Sequence, residues 1–102
     1  MGMSMDRYFN RQGEPIDLMS WSKSFENIDE KRVRETTLPD GKWISTVWLG
    51  LNHNFCSSGP PLIFETMVFP KEGEYGELDC NRYSTEEEAI AGHEAMVERH
   101  KP

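Results

Sequence analysis

The stretch KRVRETTL (Lys31–Leu38) runs into PDGK and then into WISTVWLGL (Trp43–Leu51). Two runs rich in β-branched and aromatic residues, parted by Pro39, Asp40 and Gly41, read as a β-hairpin. Proline presets a turn dihedral, and Asp-Gly tolerates the turn conformations that larger residues resist. Along the second run, Trp43, Ser45, Val47 and Leu49 share one face, and Ile44, Thr46 and Trp48 share the other. Both faces are largely apolar, which predicts a central strand with neighbours on each side.

The rest of the chain builds outward from that hairpin. LIFETMVF (Leu62–Phe69) is apolar except at Glu65 and Thr66, and Pro70 ends it, so it reads as a third strand. LDCNRY (Leu78–Tyr83) forms a short edge strand, weakened by Asp and Asn. The segments NHNFCSSGPP and KEGEYGE are loops by composition. A helix is predicted from about Thr85 to His100, with Ser84 as N-cap and Glu87 closing a capping box. Glu86, Glu87 and Glu88 sit where the helix dipole favours negative charge, and Arg99, His100 and Lys101 sit where it favours positive charge. Ile90, His93 and Val97 make its inner stripe, widened by Ala89 and Met96.

Upstream, Arg7–Ile16 reads as an extended arm with a turn near Gly13. Asp17 caps a helix over LMSWSKSFENI, whose inner positions are Leu18, Trp21 or Met19, Phe25 and Ile28. The whole is one α+β domain spanning 1–102. A three- to four-stranded antiparallel sheet packs against the C-terminal helix, with the shorter N-terminal helix at one edge or end. Residues 1–6, with three Met in the first five positions, are set aside as a disordered or appended segment.

Charge limits the classes of partner. The net charge is -7, and the excess acid lies in the C-terminal third. Nucleic acid and anionic membranes are therefore disfavoured as direct partners, and basic proteins are favoured. The candidate partner-binding residues are Glu72, Glu74, Glu77, Asp79, Glu86 and Glu87, with Trp48 as an aromatic anchor. Trp43, Trp21 and Phe55 are expected mostly in the core of so small a domain. No secretory-type apolar segment follows the N-terminus, so a cytoplasmic chain with reduced thiols is the expectation.

Chemical motifs are sparse. His53 and Cys56 have H-x-x-C spacing, and Cys80 and His93 follow, giving four residues of metal-ligand type. The gaps match no familiar zinc module, so no metal or other cofactor is assigned, and His53, Cys80 and His93 remain only weak candidates. A small enzyme using His53, Glu65, Cys80 or His93 is the alternative to a binding protein, although neither Cys carries a nucleophile signature. Glu65, mid-strand in an apolar run, is expected on a half-solvated face, or else buried against Arg34, Arg82 or a hydroxyl. His93 on the apolar stripe reads as a hydrogen-bonded core histidine. Arg82-Tyr83 is expected to anchor the last helix on the sheet. A homo-oligomer joined through an exposed edge strand is a third possibility.

The strings TTLPDGKWISTVWLGLNHNF, GPPLIFETMVF and LDCNRYSTEEEAIAGHEAMV resemble a family of small proteins of tailed bacteriophages and prophages. The resemblance spans about Tyr8–Val97. It brings no assigned activity and no catalytic residues. In the family's pattern glycine often stands at the position of Cys56 or Ser57, which argues against Cys56 as a ligand. The context it implies is a bacterial host cell and a host or phage protein as partner. Small acidic proteins in that setting often act on host proteins, and some inhibit defence systems by presenting nucleic-acid-like charge; by analogy the expected target is a defence or nucleic-acid-handling protein.

Overall fold

The computed structural model describes residues 7–54 and 59–102. Residues 1–6, Phe55 and Cys56, each with an expectation attached, lie outside the described residues. The elements in chain order are α1 (Leu18–Phe25), α2 (Ile28–Lys31), β1 (Arg32–Thr37), β2 (Trp43–Trp48), β3 (Phe64–Phe69), β4 (Asp79–Tyr83) and α3 (Glu86–His100). The four strands form one antiparallel sheet in the order β1-β2-β3-β4, so β2 is central and β4 is an edge, as the residue pattern predicts. The α+β architecture with one long C-terminal helix and a shorter N-terminal one follows the expectation.

The hairpin closes where Pro-Asp-Gly stands. Leu38 N–H donates to the Lys42 carbonyl at 2.8 Å, and Gly41 N–H to the Leu38 carbonyl at 2.9 Å. Residue alternation then divides the sheet. Ile44, Thr46, Phe64, Thr66 and Val68 point to α3 and are buried. Their neighbours Trp43, Ser45, Val47, Met67 and Phe69 point to the opposite side and stay half-buried. Full burial of a side chain the size of Phe64 or Ile44 contributes about 1.5–3 kcal/mol.

Helix α3 presents Ala89, His93 and Met96 to the sheet. Its N-cap is Thr85, one residue later than expected. Thr85 Oγ1 accepts from Glu88 N–H at 3.1 Å, and Glu88 Oε1 accepts from Thr85 N–H at 3.3 Å. The box is therefore Thr85–Glu88 and not Ser84–Glu87. Tyr83 fixes this frame: it packs with Ala89 in the core, and its ring lies where a Cβ on Gly92 would have to stand. A glycine in mid-helix, which costs helix propensity, is thus explained by the close approach of a ring.

The N-terminal helix is shorter than expected. Asp17 caps it, its Oδ1 accepting from Ser20 N–H at 2.7 Å. It ends at Phe25, and Asn27 caps the separate turn α2. Trp21 and Phe25 pack inward, while Leu18, Met19 and Ile28 are exposed, so only part of the expected stripe is used. The arm before it turns at Gly13 and returns. Phe9 N–H donates to the Gly50 carbonyl, and the Trp48 indole N–H donates to the Phe9 carbonyl. Gly50 has φ +70°, and the rings of Trp48 and Trp21 occupy the space a side chain there would need. That bend ends β2 at Trp48, three residues before the predicted strand would leave off.

Candidate protein-interaction surface

His93 lies between α3 and the sheet with 0% exposure. Its Nδ1 lies 2.7 Å from Thr46 Oγ1 and its Nε2 2.8 Å from Thr36 Oγ1, and Thr46 Oγ1 lies 2.5 Å from Thr66 Oγ1. One ring nitrogen carries the proton and the other accepts, and hydroxyls serve either role. Burial lowers the pKa of the ring; Glu94 opposes this and Arg34 adds to it. The neutral imidazole is thus a core polar tie across three strands, with no substrate-accessible atom.

Cys80 and Glu65 lie on the other face of the sheet. Glu65 is only 8% exposed, which overturns the half-solvated reading. Its partner is Arg82, directly across the β3–β4 ladder, with Nε to Oε2 at 2.9 Å. Arg34 is instead paired with Glu94. Cys80 Sγ lies 3.7 Å from Glu65 Oε2. Burial, and then the adjacent Glu65 carboxylate, push the thiol pKa up. A thiol held protonated is a poor nucleophile.

His53 lies in the β2–β3 connection, where its N–H donates to the Leu62 carbonyl at 2.9 Å. His53, Cys80 and His93 therefore belong to a loop, the open face and the covered face respectively. Among the described residues, no group of three or more His, Cys, Asp or Glu side chains converges as a metal site would require. Of the four residues named for an enzyme, Glu65 and Cys80 meet on the open face, while His53 and His93 lie apart from them and from each other.

A cleft of about 590 Å³ runs beside Arg11 near the start of α3, with Phe9, Pro60 and Ile63 as its apolar lining. Arg11 is fully engaged there. Its Nε donates to Glu86 Oε1 at 2.9 Å, its second arm meets Glu86 Oε2 at 2.9 Å, and Nη1 reaches the Glu30 carbonyl at 3.0 Å. The cleft gathers a clamp that ties the arm to α2 and α3, with Ser84 and Thr85 also on its wall.

The predicted partner-binding residues separate into three kinds. Trp48 is withdrawn as an anchor: it is 1% exposed, with its indole N–H on the Phe9 carbonyl. Asp79 and Glu86 are occupied internally, Asp79 by His100 and Arg99 and Glu86 by Arg11. Hydrogen bonds from His100, then Arg99, bring the Asp79 pKa down to about 2. Glu72, Glu74, Glu77 and Glu87 are exposed and, among the described residues, enter no ion pair. Three of these four occupy the loop between β3 and β4, together with Tyr75 at 97% exposure and Leu78 at 52%. Sequence reasoning passed over Tyr75, although an aromatic between glutamates in a Gly-rich loop was a visible signal.

Beside that loop lies the uncovered side of the sheet. Trp43 and Phe69 stack with centroids 5.5 Å apart. The Trp43 indole nitrogen has no hydrogen-bond partner. A hollow of about 180 Å³ separates Ile28 and Lys31 of α2 from Trp43 and Val47 of β2.

Among the described residues, no helix is long and apolar enough to cross a membrane. No family model, curated protein or solved structure matches the chain.

Proposed function

We propose that the protein is a small phage-type accessory protein that works by binding a basic protein in the bacterial host cytoplasm. Its target class is a nucleic-acid-handling or defence protein, whose nucleic-acid groove the acidic surface occupies by charge mimicry. The observation that carries the reading is the β3–β4 loop. Glu72, Glu74 and Glu77 are exposed there and, among the described residues, pair with no cation, around a fully presented Tyr75. Their charge is therefore directed outward. A net charge of -7 steers cationic partners toward the chain and repels nucleic acid. The resemblance to small phage and prophage proteins supplies the biological setting, by analogy.

The test is affinity capture from bacterial lysate at low and high salt. The wild-type chain is compared with a variant carrying Glu72→Lys, Glu74→Lys and Glu77→Lys. Expected is a captured protein that the variant loses, that high salt releases and that added duplex DNA displaces. Equal capture by the charge-reversed variant would remove the loop from the reading. Failure of DNA to compete would remove mimicry.

A further inference from the structure

We propose that the uncovered face of the sheet, at the end beside the acidic loop, docks a cationic protein segment through an apolar side chain. This rests on the basic-partner reading above and adds the surface and the chemistry of its contact.

The face has the composition of an interface centre. Trp43, Val47, Met67 and Phe69 form a continuous half-buried strip, and no element of the described chain packs over it as α3 does on the other side. Aromatic and Met side chains at such positions are enriched in interfaces. The strip includes the stacked Trp43–Phe69 pair and the hollow beside α2. Of the charges on the face, Glu65 is matched by Arg82 and Glu35 by Arg32, and Lys31 at the α2 border lies over the Phe25 ring.

What selects the occupant is charge. β2 begins and β3 ends where the loop leaves, so Glu72, Glu74 and Glu77 rim the Trp43–Phe69 end. Glu77 is close enough for its charge to act on the Cys80 thiol, which lies on this face. A second copy would bring a like rim and a like net charge, whereas a Lys- or Arg-bearing segment is attracted by both.

The mode is face docking and not strand addition at β4. Leu49 N–H donates to the Ile63 carbonyl, which fixes the alternation of β3 and turns the Cys80 and Arg82 N–H groups of β4 outward. Each is already satisfied, by Asp79 Oδ1 and Asn81 Oδ1 respectively, both at 2.9 Å. An incoming strand would have to displace both.

Three synthetic peptides of equal length test this, alternating Arg-Leu, Arg-Ser and Glu-Leu, each titrated at low salt against isotopically labelled protein. The amide shift map and tryptophan fluorescence are the readouts. The Arg-Leu peptide is expected to move Trp43, Val47, Met67 and the loop Glu72–Glu77. It should bind about tenfold more tightly than Arg-Ser, the effect of burying one leucine-sized side chain. Met67→Ser should erase that preference while the Arg-Ser affinity stays unchanged, which also shows that the variant is folded.

Equal binding of the two cationic peptides, with shifts confined to the loop, overturns the face and leaves the basic-partner reading standing. Binding of neither cationic peptide overturns both. Shifts centred on α3 or on β1 overturn the site. A concentration-dependent dimer that protects Trp43 and Met67 overturns the occupant in favour of a second copy.

Discussion

On the α3 side of the sheet, Ile44, Phe64, Thr66 and Val68 are sealed from solvent, and one position along the same strands Trp43, Val47, Met67 and Phe69 remain half-exposed. Both surfaces are built from bulky apolar residues at the same spacing. What separates them is the cover, because α3 lies over all four strands on one side while α2 only borders the other. Polarity is handled differently in consequence. The covered side holds Thr36, Thr46, Thr66 and His93 in one mutually hydrogen-bonded set, as buried polar atoms require, and leaves the Tyr83 hydroxyl as its exception. The open side carries a charged pair, Glu65–Arg82, in which the arginine keeps contact with water. Apolar content alone therefore does not mark the core of so small a domain; coverage does.

The largest expected effect comes from truncating the covered side. Phe64→Ala should cost about 3–5 kcal/mol in urea unfolding. Gly92→Ala comes next, at about 1–3 kcal/mol, because the added methyl group displaces the buried Tyr83 ring. This outweighs the roughly 1 kcal/mol that alanine gains in helix propensity. A Gly92→Ala protein that melts higher than wild type would break the account of how α3 is seated.

Acid should weaken the same side. The folded pKa of His93 lies below its ordinary 6.5, so as pH falls through 6.5 the unfolded chain takes up the proton first. Stability is therefore full above that value and declines below it, by at most about 1.4 kcal/mol per pH unit. His93→Gln should flatten this segment of the stability profile. A second loss belongs to Asp79 and falls in a lower window, between its ordinary 3.8 and about 2. Its sign is that of a carboxylate whose folded form resists protonation.

The smallest effect is expected on the open side. Met67→Ser should change stability by less than about 1 kcal/mol. If it costs as much as Phe64→Ala, the open face is covered in solution and the contrast between the two sides fails.

Much of this fold is written locally. The Pro-Asp-Gly turn, the alternation in β2 and β3, the Asp17 cap and the inner stripe of α3 are each set by a few neighbouring residues. The errors fall where distant chain decides. The stretch STEEE holds two overlapping capping boxes, Ser84–Glu87 and Thr85–Glu88, and only the seating of Tyr83 on α3 selects the second. Glu65 sits among apolar neighbours as a buried acid would, yet its partner arrives only through the β3–β4 register. Trp48 looks like any candidate anchor until the arm, 39 residues upstream, caps its indole with the Phe9 carbonyl. Among the acidic residues, sequence could count charges but could not tell which were already spoken for. Asp79 and Glu86 acquire their cations from the far end of α3 and from the arm.

The capped edge of β4 bears on how copies of this chain can join. A strand added to an edge exposes a fresh edge, so edge pairing can propagate into a fibre, whereas a contact through a face consumes the surface it uses. Here the outward N–H groups of β4 are closed by Asp79 and Asn81, whereas β1 offers outward backbone groups at Glu35 and Thr37. Two copies meeting β1 to β1 would make an eight-stranded sheet with β4 at both ends, where the closed N–H groups oppose the addition of a further strand.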